Sequence, residues 1–290
     1  MPQAFKQNIK NYLKGLRIPE VILMTGFFVI GAFFGIKDFE RLSVLKFIIL
    51  TIVSFFVVLS IYSHNAAVGK ATDKDNKRLE NLKQINYRTF IFSYIYFLLA
   101  AVCLSLFLSW IFSILSILVF LIWRTYSHPV YGFKHRPYLG TILHFVAQII
   151  HFNMCYFIFS ELSLSSLSIS VYFALAFATG HLNHEIIDYK SDLNSKSRTT
   201  AVKHGVNVTL KIAMILLIIN LALALGLFAS EAVDIYVFIF MLAPVFLHLS
   251  FYIIFYKSIL NKAVLIRNNY RIYYLISFFL IITIRFIHLI

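Results

Sequence analysis

Between Arg88 and Arg124 the chain carries no charged residue at all. A bilayer-spanning helix needs about 20 apolar residues, so this run is too long for one and just long enough for two joined by a tight turn. Similar runs recur along the chain. They predict nine spans: Val21–Ile36, Val44–Tyr62, Thr89–Ser105, Phe107–Trp123, Tyr138–Ser160, Ser166–Ile187, Val208–Ala229, Tyr236–Tyr256 and Ile272–Ile290. Only 13% of residues are charged and 60% are hydrophobic, whereas soluble domains carry about 25% charged residues. The expected fold is an all-α polytopic membrane protein, one domain over residues 1–290.

The net charge of +14 raises the question of nucleic acid. Nucleic-acid domains gather their cations on a soluble face. Here the cations fall between apolar runs, so no nucleic-acid partner is expected. With the N-terminus inside, the segments placed in the cytoplasm collect nearly all of the lysines and arginines. Only Lys37 and Arg41 fall outside, and Lys46, Lys211 and Arg285 lie within spans. That imbalance follows the positive-inside rule and supports both the alternation and a multi-pass position in the cell membrane. Residues 1–19 are no cleavable signal, since eight further spans follow and no small-residue cleavage site appears. Phe5, Ile9, Leu13 and Leu16 recur at helical spacing among Lys6, Lys10, Lys14 and Arg17, the pattern of an amphipathic helix on the cytoplasmic leaflet. Gly31 and Gly35 offer a small-xxx-small face for helix packing, although glycine is also simply common in membrane helices. Cys103 and Cys155 have no metal or disulfide spacing and read as small core residues.

Acids gather where the sixth span ends. Glu185, Asp188 and Asp192, at i, i+3 and i+7, share one helical face. Like charges stacked at a membrane boundary repel, so a cation is expected among them, and hard oxygen ligands of this kind suit Mg2+ bound with substrate phosphates. The plainer alternative is a solvated helix end whose acids pair with Lys190 and Lys196. A second cluster argues for more than that. Asn65, Gly69 and Asp73, at i, i+4 and i+8, share a face at the end of the second span, and "DKDNKR" (Asp73–Arg78) resembles "DLNSKSR" (Asp192–Arg198). Between the two lies "YSHPVYGFKHRPYLG", Tyr126 to Gly140, with Lys134 and Arg136. Acids for metal and cations for phosphate oxygens thus face one compartment, an arrangement suited to a lipid diphosphate with its head at the cytoplasmic surface.

These motifs resemble the UbiA superfamily of intramembrane prenyltransferases. The second Asp-rich motif of that family is represented by Glu185, Asp188 and Asp192, followed by Thr199, Ala201 and Gly205. The Tyr-Ser-x-Pro loop with its lysine matches Tyr126, Ser127, Pro129 and Lys134. Leu16-Arg17-x-Pro19 matches the entry to the first span. The first motif departs: Asn65, Asp73, Asn76 and Lys77 stand, but Ala66 and Gly69 replace acids, no Arg-Pro follows Asn76-Lys77, and Lys196 replaces a glycine. The resemblance implies a nine-helix bundle with its active site at the cytoplasmic face, Mg2+ as cofactor, and prenyl transfer from an isoprenoid diphosphate to an aromatic or other lipid-precursor acceptor. Carried over residue by residue, it implies catalytic roles for Asp188, Asp192, Lys134 and Tyr126. It implies metal binding by Asp73, Glu185, Asp188 and Asp192, and substrate contacts from Asn65, Lys77, Lys134, Arg198, Asn183 and His184.

Other readings are weaker. In "HLNHE" the histidines His181 and His184 are i, i+3, not the i, i+4 of a zinc-protease helix; His184 is placed to bond the diphosphate or a neighbouring helix. The 31 phenylalanines and 17 tyrosines fit a prenyl tunnel and an ordinary membrane core equally well. A terpene cyclase of the same superfamily is the alternative enzyme, and the degraded first motif raises it. A transporter or a non-catalytic lipid-diphosphate binder is the alternative from another class, but transporters set their ionisable groups near the midplane, on inverted repeats.

Overall fold

The computed structural model describes residues 3–37, 40–72, 85–128, 130, 132–195 and 197–287, excluding the side chains of 3–6, 41–42 and 70–72. Among these residues the regular structure is helical throughout: α1 (Gln3–Leu16), α2 (Ile18–Gly35), α3 (Arg41–Thr72), α4 (Tyr87–Ser105), α5 (Trp110–Ser127), α6 (Leu139–Tyr156), α7 (Leu164–Asn194), α8 (Thr200–His204), α9 (Val206–Ala229), α10 (Ile235–Ile254) and α11 (Ile259–Ile287). Helices satisfy their own backbone groups, which lipid cannot do for them. The uncharged run does divide in two. α4 and α5 are separated at 106–109, and the Ser109 hydroxyl accepts the Ile111 N–H to cap α5.

Eight described segments are long and apolar enough to cross a membrane. The expected fifth span, α6, falls short of them in apolarity because His144, Gln148, His151 and Asn153 lie along it. It nevertheless packs against α2, α5 and α7. Its seam with α2 is close. A Cβ on Gly35 would stand 2.6 Å from the Tyr156 carbonyl oxygen, and one on Gly31 would also collide with the α6 backbone, at Phe152. The two glycines are therefore a packing surface, as small residues are where membrane helices approach closely.

Two apolar cores flank this seam. One gathers Phe28 of α2, Val57 and Val58 of α3, Phe90 of α4, Phe112 of α5 and Ala147 of α6. The other gathers Ile30 and Phe34 of α2, Phe152 of α6, Tyr172 and Leu182 of α7, Leu210 of α9, Val245 of α10 and Ile266 of α11. α2 and α6 serve both, so they tie the halves of the bundle together.

Three helices overrun the spans expected from apolarity by the most. α3 continues past Tyr62 to Thr72, α7 past Ile187 to Asn194, and α11 starts at Ile259 rather than Ile272. The extension of α7 keeps Asp188 and Asp192 on the helical face their spacing predicts, and that of α11 puts Arg267 and Arg271 on a helix.

Candidate active site

A cavity of about 2540 Å3 opens between α2, α3, α7 and α11. Each helix lends it one stripe. On α3 the stripe runs Thr51, Phe55, Val58, Tyr62, Asn65; on α7 it runs Phe173, Phe177, Gly180, His184, Asp188, Ser191. Both become polar towards the C-terminal end of the helix. On α2 and α11 the polar end comes first, with Arg17 and Glu20 before Leu23 and Phe27, and Arg267 and Arg271 before Phe278 and Ile282. Contacts bring these polar ends together. The Arg17 guanidinium lies 5.3 Å from the Tyr62 ring centroid, and Arg271 donates an N–H to His184 Nε2 at 3.1 Å. The result is an aromatic shaft with a charged mouth.

The acidic trio divides. Glu185 is only 5% exposed, and its carboxylate turns to the start of α8, where it accepts the Ala201 N–H at 3.1 Å and the Thr200 hydroxyl at 3.4 Å. Such a position suits an anion, because the first N–H groups of a helix lack partners within it. His181 stands beside it, with Nδ1 3.6 Å from the Glu185 carboxylate and 3.0 Å from the Thr141 hydroxyl, and Nε2 3.1 Å from the Tyr126 hydroxyl. All three acids line the cavity, and Asp188 and Asp192, one turn apart, are half-buried there.

Two loops bring cations to the same mouth. Lys134 sits in the 3-10 turn Phe133–His135 and Arg198 in the link to α8; both line the cavity, as does Arg136. The loops are stapled to each other. The Tyr138 N–H donates to the Thr200 hydroxyl at 3.0 Å, and the Ser197 hydroxyl lies 3.0 Å from His135 Nδ1. Thr200 is thus shared between Glu185 and the loop that carries Lys134.

Of the other expected site residues, Asn65, Tyr126 and His184 line the cavity. Asn65 Oδ1 is buried and has no hydrogen-bond partner, which leaves an oxygen acceptor in the wall. Asn183 is fully buried elsewhere. Its amide donates to the Ala263 carbonyl at 3.3 Å and accepts from the Tyr252 hydroxyl at 3.3 Å, bridging α7 to α10 and α11. Asp73, Lys77 and Lys196 lie outside the described residues. Arg267 and Arg271 read in sequence only as topology-setting cations. Their i, i+4 spacing just before the last apolar run was the available signal of a shared helical face.

A model of the UbiA prenyltransferase family matches residues 24–275. The chain belongs to that family. Its fold is similar to that of a UbiA homologue from Archaeoglobus fulgidus bound to GPP and Mg2+ (TM-score 0.74, 20% identity, 93% of this chain and 99% of the homologue). It is also similar to digeranylgeranylglyceryl phosphate synthase (TM-score 0.73, 18% identity, 95% and 97%) and to an apo UbiA homologue from Aeropyrum pernix K1 (TM-score 0.65, 17% identity, 93% and 95%). No functionally curated protein matches the chain by sequence.

Within this UbiA-family bundle, the donors at the mouth suit one kind of ion. Among the described residues no three His, Cys, Asp or Glu side chains converge as a self-sufficient metal cage. Asp188 and Asp192 instead offer two carboxylates from one helix face, near the oxygen-lined mouth. A hard divalent cation that keeps waters and takes oxygens from a substrate phosphate needs one or two carboxylates of this sort.

Proposed function

We propose that this chain is a membrane-embedded prenyltransferase that ionises an isoprenoid diphosphate and passes its prenyl group to an aromatic or other lipid-precursor acceptor. One observation carries the reading: Asp188, Asp192, Lys134 and Arg198 all face the polar end of a cavity whose depth is aromatic and apolar. A diphosphate head fits the first part and a prenyl tail the second.

Asp188 and Asp192, with Asp73 of the first motif, would hold Mg2+. When bound, that ion offsets the negative charge growing on the diphosphate oxygens as the allylic C–O bond breaks. Lys134 meets those oxygens as a point charge, and Arg198 through its planar fork. Asn65 and Lys77 complete the head site. The bonding pair leaves with the diphosphate, a nucleophilic atom of the acceptor bonds to the allylic carbon, and the acceptor loses a proton. Tyr126, on the cavity wall, turns its ring to the transient allylic cation, which the negative face of an aromatic ring favours. Glu185 acts at one remove by fixing α8 and the two cation-bearing loops. His184 orients Arg271. The mouth lies on the cytoplasmic side, with α1 along that leaflet.

The test is incubation of the purified protein with labelled geranylgeranyl diphosphate and Mg2+, with and without a membrane lipid extract. A prenylated lipid formed only with the extract is the expected result. Diphosphate release with a cyclic product and no extract would replace transfer by cyclisation. Binding without any turnover would leave a lipid-diphosphate binder.

A further inference from the structure

Prenyl transfer ends when the acceptor loses a proton, and a group must take it. One hydrogen-bonded chain of side chains reaches the cavity wall. The Tyr126 hydroxyl lies 3.1 Å from His181 Nε2, and His181 Nδ1 lies 3.0 Å from the Thr141 hydroxyl and 3.6 Å from the Glu185 carboxylate. A carboxylate on that side favours a proton on Nδ1, which then donates to the Thr141 oxygen and leaves Nε2 to accept the Tyr126 O–H. A hydroxyl that donates to a ring nitrogen keeps its own lone pairs as acceptors, and Tyr126, His181 and Glu185 all line the cavity. The imidazole is closely seated. A Cβ on Gly140 would stand 3.0 Å from His181 Cε1, and the His144 ring packs 4.3 Å away. His144 offers no such chain, because its Nδ1 is buried without a hydrogen-bond partner and, among the described residues, no carboxylate pairs with it.

We propose that Tyr126 and His181 form the relay that removes the acceptor's proton, from an attacking atom that carries hydrogen, such as a hydroxyl oxygen or an aromatic carbon. This deepens the prenyl-transfer reading and rests on it. As the acceptor atom bonds to the allylic carbon, it becomes strongly acidic. The Tyr126 oxygen accepts its proton while the Tyr126 O–H passes its own to His181 Nε2. Tyrosine ends neutral and the positive charge moves to the imidazole. Glu185 offsets that charge and, with Thr141, holds the ring in one tautomer, as a buried carboxylate does beside a histidine base in hydrolases. His181 then returns the proton to solvent at the mouth. The Tyr126 ring thus serves the allylic cation and its hydroxyl serves the proton.

The experiment uses the full chain in non-ionic detergent with labelled geranylgeranyl diphosphate, Mg2+ and a membrane lipid extract. It counts prenylated lipid and prenyl alcohol against diphosphate released. Where the proton stays on the adduct, the new bond reopens and water takes the prenyl group instead. His181→Gln can still hydrogen-bond Tyr126 but cannot take a proton, and Tyr126→Phe keeps the ring and loses only the hydroxyl. In both, diphosphate release should continue while the ratio of lipid to alcohol falls roughly 10²-fold, the lower end of what a positioned acid–base group contributes. A merely structural role would lower release and lipid together and leave that ratio unmoved. An undiminished ratio in either variant would overturn the relay. So would loss of release in step with lipid in Tyr126→Phe, which assigns the hydroxyl to ionisation. If His181→Gln fails to fold, Tyr126→Phe still decides. No prenylated lipid from the wild type would remove the transfer reading and, with it, the proton the relay carries. A wild-type ratio in the variants spares that reading and removes only the relay.

Discussion

α3 and α7 reach the mouth of the cavity in the same sense and arrive with different chemistry. α7 ends in Glu185, Asp188 and Asp192; the corresponding end of α3 has Asn65 on the cavity wall, with Ala66 and Gly69 buried beside it. The cavity-facing series on α3, Thr51, Phe55, Val58, Tyr62 and Asn65, advances by alternating four and three residues, so its next member is Gly69. Where α7 sets a carboxylate, α3 sets no side chain at all. Among the described residues, the α3 end therefore adds no negative charge to the mouth, while α7 brings Asp188 and Asp192. Glu185 shows that even within α7 the motif is not uniform. Its carboxylate accepts from the start of α8, so of the three acids that line the cavity the innermost is held by Thr200 and Ala201.

The largest effect follows from that division. Asp188→Asn and Asp192→Asn each remove a charge from the proposed diphosphate site, and turnover should fall by roughly 10²–10³-fold, the scale for losing one preorganised stabilising group. Steady-state rates at saturating Mg2+ measure it. Turnover near wild type in both would mean that the acids are only a solvated helix end, and the proposed enzyme would go with them. Glu185 sharpens the comparison. Glu185→Ala leaves the buried Ala201 N–H without an acceptor, which costs about 1–3 kcal/mol, so the melting temperature should drop along with activity. Glu185→Gln retains one acceptor and should keep an unchanged Mg2+ requirement with at most a modest loss of rate. An Mg2+ requirement that rises in Glu185→Gln as it does in Asp188→Asn would place all three acids on the ion and dissolve the division within α7.

Lys134 tests the loop side of the mouth. Lys134→Ala should weaken binding of a non-hydrolysable prenyl diphosphate about tenfold, the worth of one hydrogen bond to a charged group. Equilibrium dialysis with labelled analogue reads this directly, and undiminished affinity would remove Lys134 from the head site.

The placement of the spans was legible because it depends on apolar run length and cation spacing, both carried by adjacent residues. α6 was legible too, at Tyr138–Ser160, although His144 and Gln148 dilute its apolarity below that of the other segments. Asp188 and Asp192 were legible as a pair on one face. The role of Glu185 was not, because the N–H it accepts belongs to Ala201, on another helix after a loop. Arg271 was missed for a similar reason: its partner His184 lies 87 positions away, and a helix that starts at Ile259 cannot be read from a run that becomes apolar at Ile272. Asn183 shows the converse. A polar residue beside the motif invited a ligand role, yet Tyr252 and Ala263 engage its amide.

The smallest expected effect bears most directly on the contrast between α3 and α7. Gly69→Asp would place a carboxylate at the next position of the α3 series, one turn beyond Asn65. Should the ion lean on α7 because α3 offers it nothing there, the new acid should share the load, and the Mg2+ concentration giving half-maximal rate should fall by a few-fold, on the order of one added water-screened ligand contact. Replacing glycine within a helix also removes a backbone entropy cost of roughly 0.5–1 kcal/mol relative to alanine, so the helix should tolerate the change if the side chain reaches the mouth. Gly69→Asn separates charge from shape: it fills the same space and should leave the Mg2+ midpoint where it is. Rate against Mg2+ for wild type, Gly69→Asp and Gly69→Asn is the measurement. A midpoint that moves equally in both variants would attribute the effect to packing on α3, and one that rises only in Gly69→Asp would mean that the added charge repels the diphosphate rather than holding the ion.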